Sequence, residues 1–251
     1  MLFKCFLAFY CLIYLPVFSQ SNKIILLAET MEPFIIEKND KLTGPFIEAF
    51  QIIANEHDIE FEFQKTPTRR GLKDIEKTPN HCVFSANYSP ETSEILLYVS
   101  KLAQLKIWAY SAKKSNINLK SIQNLKKYKV GVIDIAEVKD ILSLNGIQYS
   151  LIFKSDSAIK MLLSNRFDIL ISDINLDLLN KEDTKKIKPN LEIFKVEKWL
   201  ICNNNLKQQL VKKLREALSE ALFSSKTKEI WQKYNMIKFY NTNRIEFNLL
   251  K

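Results

Sequence analysis

Glycine is scarce in this chain of 251 residues: only 4 are present, and none falls in a G-x-G or G-x-x-x-x-G-K-[ST] arrangement. A glycine-rich loop that cradles phosphates is therefore not expected. Histidine is scarcer still. His57 and His81 are the only imidazoles, so no zinc-ligand spacing exists. His81 and Cys82 are neighbours, and neighbours on a strand point to opposite faces, which makes them a poor base and nucleophile pair. No metal and no cofactor are expected.

Long apolar runs are also lacking beyond the first residues, "MLFKCFLAFYCLIYLPVFSQS". There a single Lys4 precedes an apolar stretch from Cys5 to Phe18, broken by Pro16 and too short to span a bilayer comfortably. Val17 and Ser19 suit a signal peptidase, so residues 1–19 read as a secretory signal cleaved after Ser19. Cys11 follows Tyr10 and not a small residue, which argues against a lipid-modified N-terminal cysteine. The mature protein is expected to be soluble, exported and periplasmic. Of the cysteines, Cys82 and Cys202 then remain. Both lie in apolar strand-like runs ("HCVFSA", "WLICNN"), where a disulfide and two buried thiols are equally ordinary.

What is present is globular. Hydrophobic residues make up 47%, aromatics 11% and charged residues 26% of the chain, which indicates neither disorder nor a fibrous class. The length admits one large domain or two lobes. Removing the one charge of the signal, Lys4, takes the formal net charge from +9 to +8. Those lysines are scattered over every segment without an aromatic-interleaved stripe, and together with export this argues against a nucleic-acid partner.

Strands and helices alternate. "KIILLAE" (Lys23–Glu29) is a buried strand ending at Pro33, and "GPFIEAFQIIANEH" (Gly44–His57) places Phe46, Ile47, Phe50, Ile53 and Ala54 on one helical face. "IEFEFQK" is a half-buried strand, "TRRGLKDIEK" a helix begun by Thr68, and "CVFSA" a strand. After "LKIWAYS" come a short helix at Ser121–Lys126, the strand "KVGVID", the helix "EVKDILSLNG" closed by Gly146, the strand "YSLIFK", a helix capped by Ser155 or Asp156, and the strand "DILISD". "LEIFKV" and "WLICNN" read as two further strands, followed by two closing helices. Two consecutive β-α-β-α-β series argue for two α/β lobes with mainly parallel sheets, helices on both faces, and ligands outside the carboxyl ends of the strands. The loops after Glu29, Lys65, Ala86, Asp134 and Asp173 are where functional residues are expected.

In order, "EPFIIEKNDKLTGPFIEAFQIIA", "SANYSPETSEILLYVSKL", "NLKKYKVGVID", "SAIKMLLSNRFDILISD" and "KTKEIWQKYN" resemble the periplasmic solute-binding proteins of the polar amino-acid type (family 3). These serve ABC transporters and close two lobes over a small molecule. The resemblance runs from about Lys23 to Tyr234 and implies the two-lobed periplasmic-binding-protein-like (type II) fold. It implies lobe 1 from 23–103 plus 199–240, lobe 2 from 104–198, and a C-terminal tail at 241–251. The expected hinge crossings lie near Lys101–Lys106 and Lys195–Trp199.

The resemblance also implies the site and shows where it departs. The loop Ser89-Pro90-Glu91-Thr92, which follows Asn87, holds a threonine where the family has an arginine that forks onto the ligand's carboxylate. Loss of such a bidentate pair costs on the order of 2–4 kcal/mol. Ile133-Asp134-Ile135-Ala136 stands where the family has a Gly-Thr or Gly-Ser that also holds the carboxylate. Asp173 matches the aspartate that receives the ligand's ammonium, though an N-cap role for the segment after Ile174 is the alternative. Phe34 resembles an aromatic cleft wall, against the alternative of a core residue. Arg69 and Arg70 either replace the absent guanidinium or are solvated. Glu29 and Trp108 lie near the expected cleft or hinge.

These residues set three expectations for function. One is a monomeric binding protein for a small polar solute, a cation suiting Glu29, Glu32 and Asp173, with an ABC permease as membrane partner. Another is a dehydratase-like exported enzyme on the same scaffold. The last is a sensor or degenerate scaffold that no longer transports.

Overall fold

The computed structural model describes residues 23–133, 135–152, 155–173 and 182–249. The expected signal segment, Asp134 and the stretch after Asp173 lie outside the described residues, as do the side chains of Ser155 and Asp156 that were expected to cap a helix.

Strand β1 (Ile24–Ala28) leads through a small hairpin, β2 (Ile36–Lys38) and β3 (Lys41–Thr43), into helix α1 (Pro45–Glu56). The hairpin turns on Asn39 and Asp40, both at positive φ, as a two-residue turn between twisted strands requires. Gly44 enters α1 at φ 106°, and a Cβ there would lie 2.6 Å from the Phe34 carbonyl oxygen. The helix buries Phe46, Ile47, Phe50, Ile53 and Ala54, the face that its periodicity predicts. Each large apolar side chain so buried contributes about 1.5–3 kcal/mol.

Next come β4 (Phe61–Lys65), α2 (Thr68–Ile75), β5 (His81–Asn87), the single turn α3 (Pro90–Ser93) and the long strand β6 (Leu97–Ala112). A 3-10 turn at Ile122–Lys127, capped by Ser121, precedes β7 (Val130–Ile133), α4 (Ala136–Leu144), β8 (Tyr149–Ile152), α5 (Ser155–Leu163) and β9 (Ile169–Ser172). Gly146 takes φ 63° just past α4, the C-terminal role expected of it. The chain returns along a second long strand, β10 (Ile187–Cys202), and closes with α6 (Gln208–Ala217), α7 (Lys228–Lys233) and α8 (Ile237–Glu246).

These strands form one sheet in the order β4-β1-β5-β10-β6-β9-β7-β8. Its two ends, β4-β1-β5 and β9-β7-β8, are parallel sets, one for each predicted lobe. Between them β6 and β10 run antiparallel along their whole lengths, so the runs read separately as "LEIFKV" and "WLICNN" belong to one unbroken strand.

One expectation is corrected. The C-terminal tail is in large part helix α8, which buries Phe239, Tyr240 and Asn243, and the Asn243 amide oxygen accepts from the Gln104 backbone N–H of β6 at 2.9 Å. Helix α2 begins at Thr68 as expected, and its N-terminus is capped from outside: the Glu29 carboxylate accepts from the Thr68 N–H at 2.9 Å. The cysteine question is answered by register, since Cys82 of β5 and Cys202 of β10 are directly opposite and are joined as a disulfide. Among the described residues no helix is long and apolar enough to cross a membrane.

Candidate functional site

The ladder register aims both parallel sets at the middle of the long ribbon. Strand β5 ends at Asn87, opposite Lys198 of β10, which in turn pairs with Ala103 of β6. Strand β9 ends at Ser172, opposite Trp108 of the same β6. From Ala103 to Trp108 the strand advances roughly 17 Å at its usual rise of ~3.3 Å per residue. The carboxyl ends of the two sets therefore face each other across a gap of small-molecule dimensions, floored by β6 and β10.

Lys198 stands in that gap. Val196, Lys198 and Leu200 share one face of β10 by strand alternation and all three are buried, Lys198 to 6% exposure. Its ammonium is 4.0 Å from the Asp173 carboxylate, beyond hydrogen-bond distance. Burial holds its pKa below the ordinary lysine value, and the charges of Asp173, Glu137 and Glu29, in falling order, pull it back up. One of these carboxylates follows β1, one opens α4 and one follows β9, so both halves of the sheet contribute. Among the described residues they do not come close enough together to hold a metal ion.

Among the described residues, three buried polar atoms in this region have no hydrogen-bond partner: Asn87 Oδ1, Glu137 Oε2 and Ser85 Oγ. Ser85 is also the additional residue of a β-bulge, between Phe84 and Ala86 where β10 offers Leu200 and Trp199, and it adopts φ 69°. Bulges and residues held in the left-handed region collect beside functional sites, where they re-aim side chains. Buried polar atoms without partners are uncommon, and these lie at or beside strand ends of both parallel sets.

The sequence candidates separate on this geometry. Glu29, Asn87 and Asp173 come to the strand ends around Lys198. Thr92 does not present a free hydroxyl: its Oγ1 lies 2.7 Å from the Tyr98 hydroxyl, which also accepts from the Ser89 N–H at 3.0 Å. Tyr98 in turn packs edge-on against Tyr88 and Trp199, with ring centres 5.1 and 5.7 Å away. Phe34 is a core residue and not a cleft wall, 2% exposed and packed between the Phe46 and Phe239 rings at 4.8 Å each. Arg70 pairs along its own helix with Asp74 at 3.5 Å and is 77% exposed, so it does not replace the guanidinium; Arg69 is exposed beside it. Trp108 packs on the Tyr110 and Phe167 side of lobe 2, at the end of β9. Asp134 lies outside the described residues.

Lys198, Glu137 and Ser85 were not singled out from the sequence. The signal for Lys198 was available, since "VEKWL" puts a lysine on the apolar phase of a strand. A surface depression of about 620 Å³ lined by Lys113, Lys114, Lys160, Lys185 and Lys186 lies at the opposite end of lobe 2, beside the last residue of β6, and is not part of this site.

No protein-family model and no curated protein matches the sequence. Solved structures do. A histidine kinase sensor domain with similarity to periplasmic binding proteins shares 13% identity, with a TM-score of 0.71 over 84% of this chain and 95% of its own. An ancestral arginine-binding protein, solved with arginine, shares 20% identity, with a TM-score of 0.67 over 85% of this chain and 98% of its own. ArgBP from T. maritima, in a mutant form, shares 12% identity, with a TM-score of 0.66 over 85% and 95%. Coverage of nearly the whole of each neighbour, together with the paired parallel sets and the two crossing strands, gives this chain the two-lobed periplasmic-binding-protein fold of type II.

Proposed function

We propose that this protein is an exported, divergent solute-binding protein of the polar amino-acid type. It captures a small polar solute, cations being preferred, between lobe 1 (23–103 with the return from 199, extended through α8) and lobe 2 (104–198). It works in the periplasm as a monomer without cofactor and delivers its guest to an ABC permease. The observation that carries this reading is the buried Lys198 ammonium 4.0 Å from the Asp173 carboxylate at the facing strand ends, with the charge of Glu137 acting on it from α4 and that of the exposed Glu29 from the end of β1. The orphaned acceptors Asn87 Oδ1 and Glu137 Oε2 favour a guest that donates hydrogen bonds. With residues of both lobes contributing, binding would favour the closed state and proceed by hinge motion on β6 and β10. Binding without catalysis fits the neighbours named above, which are a sensor domain and binding proteins.

Two observations favour a second reading, a ligand-responsive sensor that feeds no transporter. The residue at the family's arginine position is turned onto Tyr98, and the fold is shared with a kinase sensor domain. A thermal-shift screen over a few hundred metabolites, with native mass spectrometry of freshly purified protein, tests binding itself. Stabilisation by polar amines supports the proposal; no stabilisation by any compound and no co-purified mass would defeat it.

A further inference from the structure

Lys198 is an unusual occupant for an acidic crevice. The residue is 6% exposed, its ammonium is 4.0 Å from the Asp173 carboxylate, and among the described residues it donates no hydrogen bond, while Asn87 Oδ1 and Glu137 Oε2 are acceptors without partners. Donors and acceptors that surround one space without satisfying each other are complementary to a guest that carries both. The guest must give hydrogen bonds to Asn87 Oδ1 and Glu137 Oε2 and accept one from Lys198.

Charge narrows the class. Glu29 is exposed and already holds the Thr68 N–H, so the interior carboxylates are those of Glu137 and Asp173. Among the described residues, two carboxylates less the Lys198 ammonium leave one negative charge to be matched. A second ammonium on the guest would lie beside that of Lys198, and like charges at such range in a poorly solvated site repel strongly. A carboxylate on the guest could accept from Lys198, but it would add a third negative charge beside Glu137 and Asp173, with Thr92, bound to Tyr98, offering no second cation.

We propose that Lys198 is a built-in counter-cation of the crevice that limits the charge it accepts, so that the protein selects hydroxylated monoamines without a carboxylate over diamines and α-amino acids. This rests on the solute-binding reading above and names its ligand class. The amine is received by Asp173, Glu137 and Asn87, and a hydroxyl oxygen by Lys198. Lys198 touches the guest and at the same time occupies charge that a second amine would otherwise take.

The test is calorimetric titration of the mature chain with ethanolamine, glucosamine, putrescine and alanine, in the wild type and in Lys198→Met and Lys198→Arg. The wild type should bind ethanolamine or glucosamine ahead of putrescine and alanine. Lys198→Met should shift the monoamine-to-diamine affinity ratio toward putrescine by at least ~10-fold, and Lys198→Arg should keep the wild-type order. Should Lys198→Met fail to fold, Asp173→Asn supplies the complementary arm, with monoamine affinity falling by about 10-fold or more. Retained binding with an unchanged ratio in Lys198→Met overturns the role of Lys198 and leaves solute binding standing. Binding of other metabolites but of none of these amines overturns the ligand class. Absence of binding by every compound, in the wild type as in the variants, overturns the solute-binding reading along with it.

Discussion

The hydroxyl of Thr92 meets the hydroxyl of Tyr98 at 2.7 Å, so the Thr92 side chain is engaged by the neighbouring strand β6. Replacing Thr92 by arginine should return a fork for carboxylates to the crevice. Thr92→Arg is expected to bind α-amino acids at least ~10-fold more tightly than the wild type, in keeping with the strength of a charge-assisted pair. Identical thermal shifts for both proteins across the common amino acids would show that position 92 does not reach the guest.

Lys198 should leave a signature in alkaline solution. Its pKa is lowered on folding, chiefly by burial, from an unfolded value of 10.5. Below 10.5 and down to the folded value, the unfolded chain holds more protons than the folded one, so stability rises with pH across that window. Against Lys198→Met, the wild type should therefore gain relative stability between neutral pH and pH 10.5, read as the difference in urea midpoints. A flat or falling difference would mean that the ammonium is better solvated than its burial implies.

Glu48 ties the first helix to the closing ones. Burial by itself would raise its pKa, but hydrogen bonds from Lys233 at 2.7 Å, Tyr234 at 2.6 Å and Thr43 at 3.1 Å, with the Lys233 charge, outweigh burial and lower it. A carboxylate so lowered contributes stability that is fully present above the unfolded value of 4.5 and is lost as pH falls through the folded one. Glu48→Gln should cost about 1–3 kcal/mol at neutral pH, and the deficit should shrink on acidification below 4.5. An equal deficit at pH 7 and pH 3 in chemical denaturation would contradict this.

The Cys82–Cys202 bridge closes 120 residues of chain, which include the whole of lobe 2. Loop-closure entropy of that order corresponds to about 4–5 kcal/mol. Reduction, or the double change of both cysteines to alanine, should lower the denaturation midpoint accordingly, and thiol counting of the unfolded native protein should find Cys82 and Cys202 unreactive until reduced. A midpoint indifferent to reductant would remove the bridge from the stability of the fold.

Much of this architecture was legible locally. The apolar phases of Ile24–Ala28, Val130–Ile133 and Ile169–Ser172 marked buried parallel strands, and the helical spacing in Pro45–Glu56 marked its core face correctly. The Asn39-Asp40 hairpin went unread because its strands are short and half exposed, with little apolar alternation to signal them. Helix α8 went unread because its apolar residues are few; Phe239 and Tyr240 are buried by packing on lobe 1 more than by any amphipathic pattern. The site was legible in part. Glu29, Asn87 and Asp173 lie at strand ends, where that rule expects them, whereas Phe34 and Arg70 obey the same rule and are claimed by the core and by Asp74.

The sequence by itself determined the alternation of elements, and hence two parallel sets and where their strands end, because side-chain period and turn chemistry act over a few residues. Only the tertiary structure decided which distant residues meet: Cys82 with Cys202, Thr92 with Tyr98, and Lys198 with carboxylates from both halves of the sheet. Those encounters depend on strand register between segments far apart in the chain. A shift of one residue in that pairing would turn Lys198 to the other face of the sheet while leaving every local pattern unchanged.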